Sequence, residues 1–169
     1  MKNDNVRDYI TAAFRFYASV GGYEKYKRKL GARIMERLEK SESCSTDVSK
    51  PTEAQIVKVE EQMEAYKADL LDLYAVENTK KRIEQSDLSY RDLIWQVIEM
   101  VYMFEPDKPI ERNDITNRVI KCCAELSIST ASAYRYLATA RHMYAKERGL
   151  RIDNNKLRAK FYKDEREIV

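Results

Sequence analysis

Glycine and proline are scarce in this chain, four and three residues among 169. With so few breakers, apolar residues recur at helical spacing almost throughout and strand-like alternation is nearly absent, so the sequence reads as all-α. Cysteine is rare as well. Cys44, Cys122 and Cys123 are too few and too unevenly spaced for a disulfide framework, which points to a reducing, cytoplasmic setting. No apolar run reaches the roughly 18 residues that a membrane span requires. The opening MKNDNVRDYI lacks the apolar stretch of a secretory signal. There is a single histidine, His142, and no glycine-rich phosphate loop, since Gly21-Gly22 reads as a turn. Serine or cysteine nucleophiles would lack a base, and the carboxylates of residues 53–105 are spread over helix surfaces rather than paired. The chain is read as non-enzymatic, with no cofactor and no metal.

What is present is charge, and it is unevenly placed. The net charge is only +3. Residues 1–40 hold ten Lys/Arg against five Asp/Glu, residues 41–107 seven against fifteen, and residues 108–169 fourteen against eight. The chain therefore runs basic, acidic, basic. A basic C-terminal third suits a polyanion, although charge runs also serve simply as solvated surface.

Helical spacing divides the chain as follows. Val6, Ile10, Ala13, Phe14 and Tyr17 share one face of a first helix, which Gly21-Gly22 ends. A second, basic helix covers about residues 23–39. The polar stretch 41–50 (SESCSTDVSK) is the best linker, giving an N-terminal segment of 1–50. Pro51 opens a long third helix through residue 86, because proline suits a first helical position. Ile56, Val59, Met63, Tyr66, Leu70 and Leu73 form a short heptad seam on it. That seam fits either a second copy of the chain or a partner helix of its own chain. A fourth helix, capped by Asp87 or Ser89, runs to about Phe104 and buries Leu93, Ile94, Val97, Ile98, Val101 and Tyr102, with Trp95 in its core. Pro106 and Pro109 impose a loop after it. The unit expected to carry function is 87–152, followed by a basic tail, 153–169, in which residues 154–169 can form a short helix.

Residues 124–141 read AELSISTASAYRYLATAR. They form the end of one helix, a three-residue turn and the start of another. The first helix should span Asp114–Leu126 and bury Ile115, Val119, Cys123 and Leu126, with Cys122 half-exposed. Ile128 should plug the angle between the helices, and Ser129 should cap the second by accepting from the Ala131 or Ser132 amide. Ala133, Leu137, Ala140 and Tyr144 make the buried stripe, with the small Ala133 at the helix crossing. Facing outward, at 100° per residue, are Ala131, Arg135, Ala138, Thr139 and His142, with Tyr134 at the edge. Small side chains let a helix sit deep in a groove. Arg135 can donate twice to one guanine, a contact worth about 1–3 kcal/mol of discrimination. Thr139 and Tyr134 suit base or phosphate contacts, and Ser129, Thr130, Ser132 and Arg141 suit the backbone. Lys146, Arg148 and Arg151 add attraction that is blind to sequence. The spacing is that of the helix-turn-helix, whose second helix enters the major groove of double-stranded DNA.

SISTASAYRYLATAR resembles the recognition half of region 4 of bacterial sigma factors, with Leu126, Ile128, Ser129, Ser132, Tyr134, Arg135 and Leu137 on the pattern. LSYRDLIWQVIEMVYMF resembles the helix that leads into it there. The wider layout, with PTEAQIVKVEE at 51–61, is similar to phage and prophage transcriptional regulators of the RinA and ArpU type. The resemblance covers about residues 50–149. It implies activation of late phage genes in a bacterial host, through promoter DNA and the host RNA polymerase. Three features depart from the pattern: Ser127 replaces a frequent glycine, Ala133 replaces a β-branched residue, and the EPDKPIERND connection is long. Two other readings use the same helices. One is a small terminase subunit that binds phage DNA for packaging as a homo-oligomer. The other is a helical adaptor in which the motif only packs.

Overall fold

The computed structural model describes residues 5–41 and 53–150. The 41–50 linker (except the helical backbone of Ser41), the Pro51 helix start, Arg151 and the 154–169 helix lie outside them. Within the described residues the fold is all-helical: α1 (Asn5–Val20), α2 (Tyr23–Ser41), α3 (Glu53–Glu64), α4 (Lys67–Glu84), α5 (Arg91–Ile98), α6 (Asp114–Leu126) and α7 (Thr130–Arg148). A five-residue π-helical stretch, Glu99–Met103, continues α5. None of these helices is long and apolar enough to cross a membrane.

α1 buries Ile10, Ala13 and Phe14, the stripe its spacing dictates. It ends where Gly21 and Gly22 take φ of 79° and 96° and both amides donate to the Tyr17 carbonyl. Side chains strongly resist this left-handed backbone, which is why two glycines stand there. Phe14 is the hub of the core. Its ring lies 5.9 Å from Tyr102, 5.6 Å from Tyr144 and 6.5 Å from Trp95. Around it one apolar cluster joins α1, α4, α5, α6 and α7. Trp95 sits at the edge of this core, half-buried, with its indole N–H on Glu99 and Lys80 over its ring.

The expected long third helix is two helices. The helix breaks at Ala65-Tyr66, partway along the heptad seam. Val59, Met63 and Tyr66 pack on Leu30, Ile34 and Leu38 of α2, forming a small second cluster within the chain. Beyond the break, Ala75, Val76 and Ile83 turn into the main core. These three lie off the seam, so the packing face changes across the break. Ile56 is left 45% exposed at the start of the seam.

The caps also differ from expectation at α5. Tyr90, not Asp87 or Ser89, precedes the helix, and no side chain caps it. At the opposite end two arginines meet the unpaired carbonyls. Arg15, only 8% exposed, donates to the carbonyls of Tyr102, Phe104, Glu105, Pro106 and Lys108. Arg118 donates to those of Val101 and Phe104. A helix C-terminus is negative, and guanidinium groups both satisfy and neutralise it. Burial lowers the Arg15 pKa, as does the nearby Arg118 charge, against the pull of Asp107 and Asp114.

Candidate nucleic-acid interface

The 127–129 turn is built as its residues require. Ser127 takes the left-handed conformation, φ 54°, and ends α6. Ile128 donates its amide to the Cys123 carbonyl at 3.2 Å and packs its side chain, half-buried, on the core between α6 and α7. The Ser129 backbone is extended, and its Oγ accepts from the Ser132 amide at 3.1 Å. That bond satisfies one of the amides a helix start leaves unpaired. Ala133 is fully buried, which lets α7 lie close to α6.

α7 presents Thr130, Ala131, Tyr134, Arg135 and His142 to solvent, and leaves Ser132 and Ala138 half-buried. Tyr134 is 41% exposed. Arg135 is held rather than loose. Its guanidinium lies 5.6 Å from the Tyr90 ring and 5.8 Å from the Tyr136 ring, and these rings stack on each other at 4.9 Å. The aromatic pair draws the cation electrostatically and restricts its rotamers.

Thr139, expected on the outward face, is buried. It is 8% exposed, and its hydroxyl donates to the Arg135 carbonyl at 3.1 Å. It follows the buried Tyr136 by about one turn, and its hydroxyl bonds its own helix. Arg141 is also turned away from the outward face. It is half-buried and donates to the Tyr102 hydroxyl at 2.7 Å. Arg148 is engaged elsewhere, since its Nε pairs with Asp72 of α4. Lys146 remains exposed.

Asp72 is a junction. It accepts from Tyr9 of α1 at 2.6 Å, from Tyr144 of α7 at 3.2 Å and from Arg148. Burial first, then the Asp72 charge, raises the Tyr144 pKa. Burial and the bond to Asp72 likewise raise that of Tyr9.

The cysteine expectation is reversed: Cys122 is buried and Cys123 half-exposed. Cys122 follows Val119 by three residues and shares its buried face. Burial pushes its thiol up to about 11, the state of a packing residue and not of a nucleophile. No group of three His, Cys, Asp or Glu among the described residues is arranged to hold a metal ion.

Two features escaped the sequence. One is the Arg15 cap, signalled only by an arginine beside Phe14 in an apolar stripe. The other is a cleft of about 1130 Å³ between α1, the 105–113 connection and α7, lined in part by Tyr102, Tyr134 and Arg141. It joins residues far apart in the chain, which no local spacing reveals. No protein-family model, curated protein or solved structure matches the chain.

Proposed function

We propose that this chain is a sequence-specific double-stranded DNA-binding regulator of the phage late-gene activator type, working beside the host RNA polymerase. The reading is carried by one observation. A capped turn presents α7 with its small residues and Arg135 outward: Ser127 is left-handed, Ser129 caps, and Ala131, Tyr134 and Arg135 are exposed. Ala131 and Ala138 admit the helix to the major groove. Arg135, steadied over Tyr90 and Tyr136, reads a base edge. Thr130 and Ser132, at the positive end of α7, hold a phosphate, and His142 and Lys146 face the same duplex further along. Thr139 and Arg148 have no part in the contact.

Duplex selected from a random pool and measured by gel shift tests the reading. Arg135→Ala should relax preference at one base pair while keeping most non-specific affinity. Equal loss on every sequence would remove Arg135 from base readout. Absence of duplex binding at low salt would leave the motif as a packing unit of a helical adaptor. Assembly into a ring of many copies would favour the terminase role.

A further inference from the structure

Beside the outward face of α7 lies the cleft, and its chemistry is not that of a packing defect. Its volume of about 1130 Å³ matches or exceeds the roughly 300–1,000 Å³ of small-ligand sites. Tyr102 lines it while only 2% exposed. The Tyr102 hydroxyl accepts from Arg141 at 2.7 Å, which leaves its own proton for a further acceptor in the cleft. Arg141 likewise spends one N–H on Tyr102 and has no carboxylate partner among the described residues. The two donors therefore stand side by side at the wall of one cleft.

The remaining charges favour an anion. Arg7, Lys108 and Arg112 line the cleft with Arg141, against Asp8, Asp107 and Glu111, and Lys108 is paired with Glu105. Arg15 adds a further positive charge although its donors are used on backbone carbonyls. Aromatic surface is present too: Phe16 and Tyr134 line the same space.

We propose that this cleft binds a small organic phosphate of mononucleotide size. Its phosphate accepts from the Arg141 guanidinium and the Tyr102 hydroxyl, and its planar portion lies against Tyr134 or Phe16. Charge-assisted donors of this kind suit phosphate bidentately. Tyr134 belongs to both the cleft and the exposed face of α7. Where the DNA reading above holds, a bound ligand therefore alters duplex affinity, making the cleft an effector site.

Calorimetric titration of the full chain with the common ribonucleoside monophosphates, and with inorganic phosphate, tests this without DNA. At least one nucleotide should bind saturably, more tightly than inorganic phosphate. Tyr102→Phe should weaken it about tenfold and Arg141→Gln by more, with circular dichroism unchanged. If Tyr102→Phe loosens the fold, Arg141→Gln carries the same test. No saturable binding by any nucleotide, or equal binding by both variants, overturns the proposal. A loss of duplex affinity in Arg141→Gln, with no nucleotide bound by the wild type, would also overturn it and assign Arg141 to the DNA backbone. Failure of duplex binding alone would sink the DNA reading and leave the nucleotide titration standing.

Discussion

Ser127 stores strain at the turn. A non-glycine residue in the left-handed region costs about 1 kcal/mol, and the Ser127 backbone sits there with its side chain exposed. Ser127→Gly should therefore raise the unfolding free energy by up to about 1 kcal/mol, less the added freedom of the unfolded chain. A urea melt checks it, and lower stability would mean the serine side chain contributes more than its backbone costs. At Asp72, three donors from two helices converge on one carboxylate. Asp72→Ala leaves Arg148 and Tyr144 without their acceptor and should cost about 2 kcal/mol in the same melt. No measurable loss would reduce the junction to a surface contact.

The ionisable groups of the core set an alkaline limit. The folded Cys122 thiol and Tyr144 phenol both have raised pKa values. Between the ordinary and the raised value, the unfolded chain has lost the proton and the folded chain has kept it. The folded state then binds more protons, so stability falls as pH rises. The decline should begin near pH 9, where an unfolded thiol ionises, and steepen above about 10 with the tyrosines. Tyr144→Phe should flatten the upper part of that curve, and Cys122→Ala the part that begins near pH 9. An unchanged slope in both variants would contradict the burial of these groups.

At the scale of the element, α7 shows what spacing can and cannot reveal. Its start, its cap and its buried stripe of Ala133, Leu137, Ala140 and Tyr144 follow from local rules, because a cap and a 3.6-residue period are properties of a few consecutive residues. α6 was legible to its terminal residues for the same reason. Thr139, Arg141 and Arg148 were not. A wheel assigns one buried side, whereas α7 is covered by α1, α4, α5 and α6 and has little solvent-facing surface beyond a narrow strip. Cys122 and Cys123 exchanged places because both border the same stripe and only the neighbouring helices decide between them. The break at Ala65-Tyr66 was hidden by a heptad that continues across it, whereas the residues that α4 gives to the main core, Ala75, Val76 and Ile83, lie off that heptad.

Across the whole molecule, the motif is not a detachable unit. Phe14 of α1 and Val76 of α4 share the core with Val119 of α6 and Leu137 of α7, and Arg15 closes the carbonyls that follow α5. A fragment of residues 87–152 should therefore lose the cover over Tyr144 and Tyr102. It should show helix content without cooperative thermal unfolding, as circular dichroism would report. A sharp transition in that fragment would show that α1 and α4 only decorate the motif. Charge is arranged on the same scale. The acidic 41–107 segment separates two basic ends.

The most direct measurement is the affinity of the full chain, wild type and Arg135→Ala, for a selected duplex and a scrambled one at two salt concentrations. The account predicts that wild type prefers the selected duplex at both, that both affinities fall steeply with salt, and that Arg135→Ala narrows the gap between the duplexes. Wild type that binds neither duplex at the lower salt, or binds both equally, would contradict it.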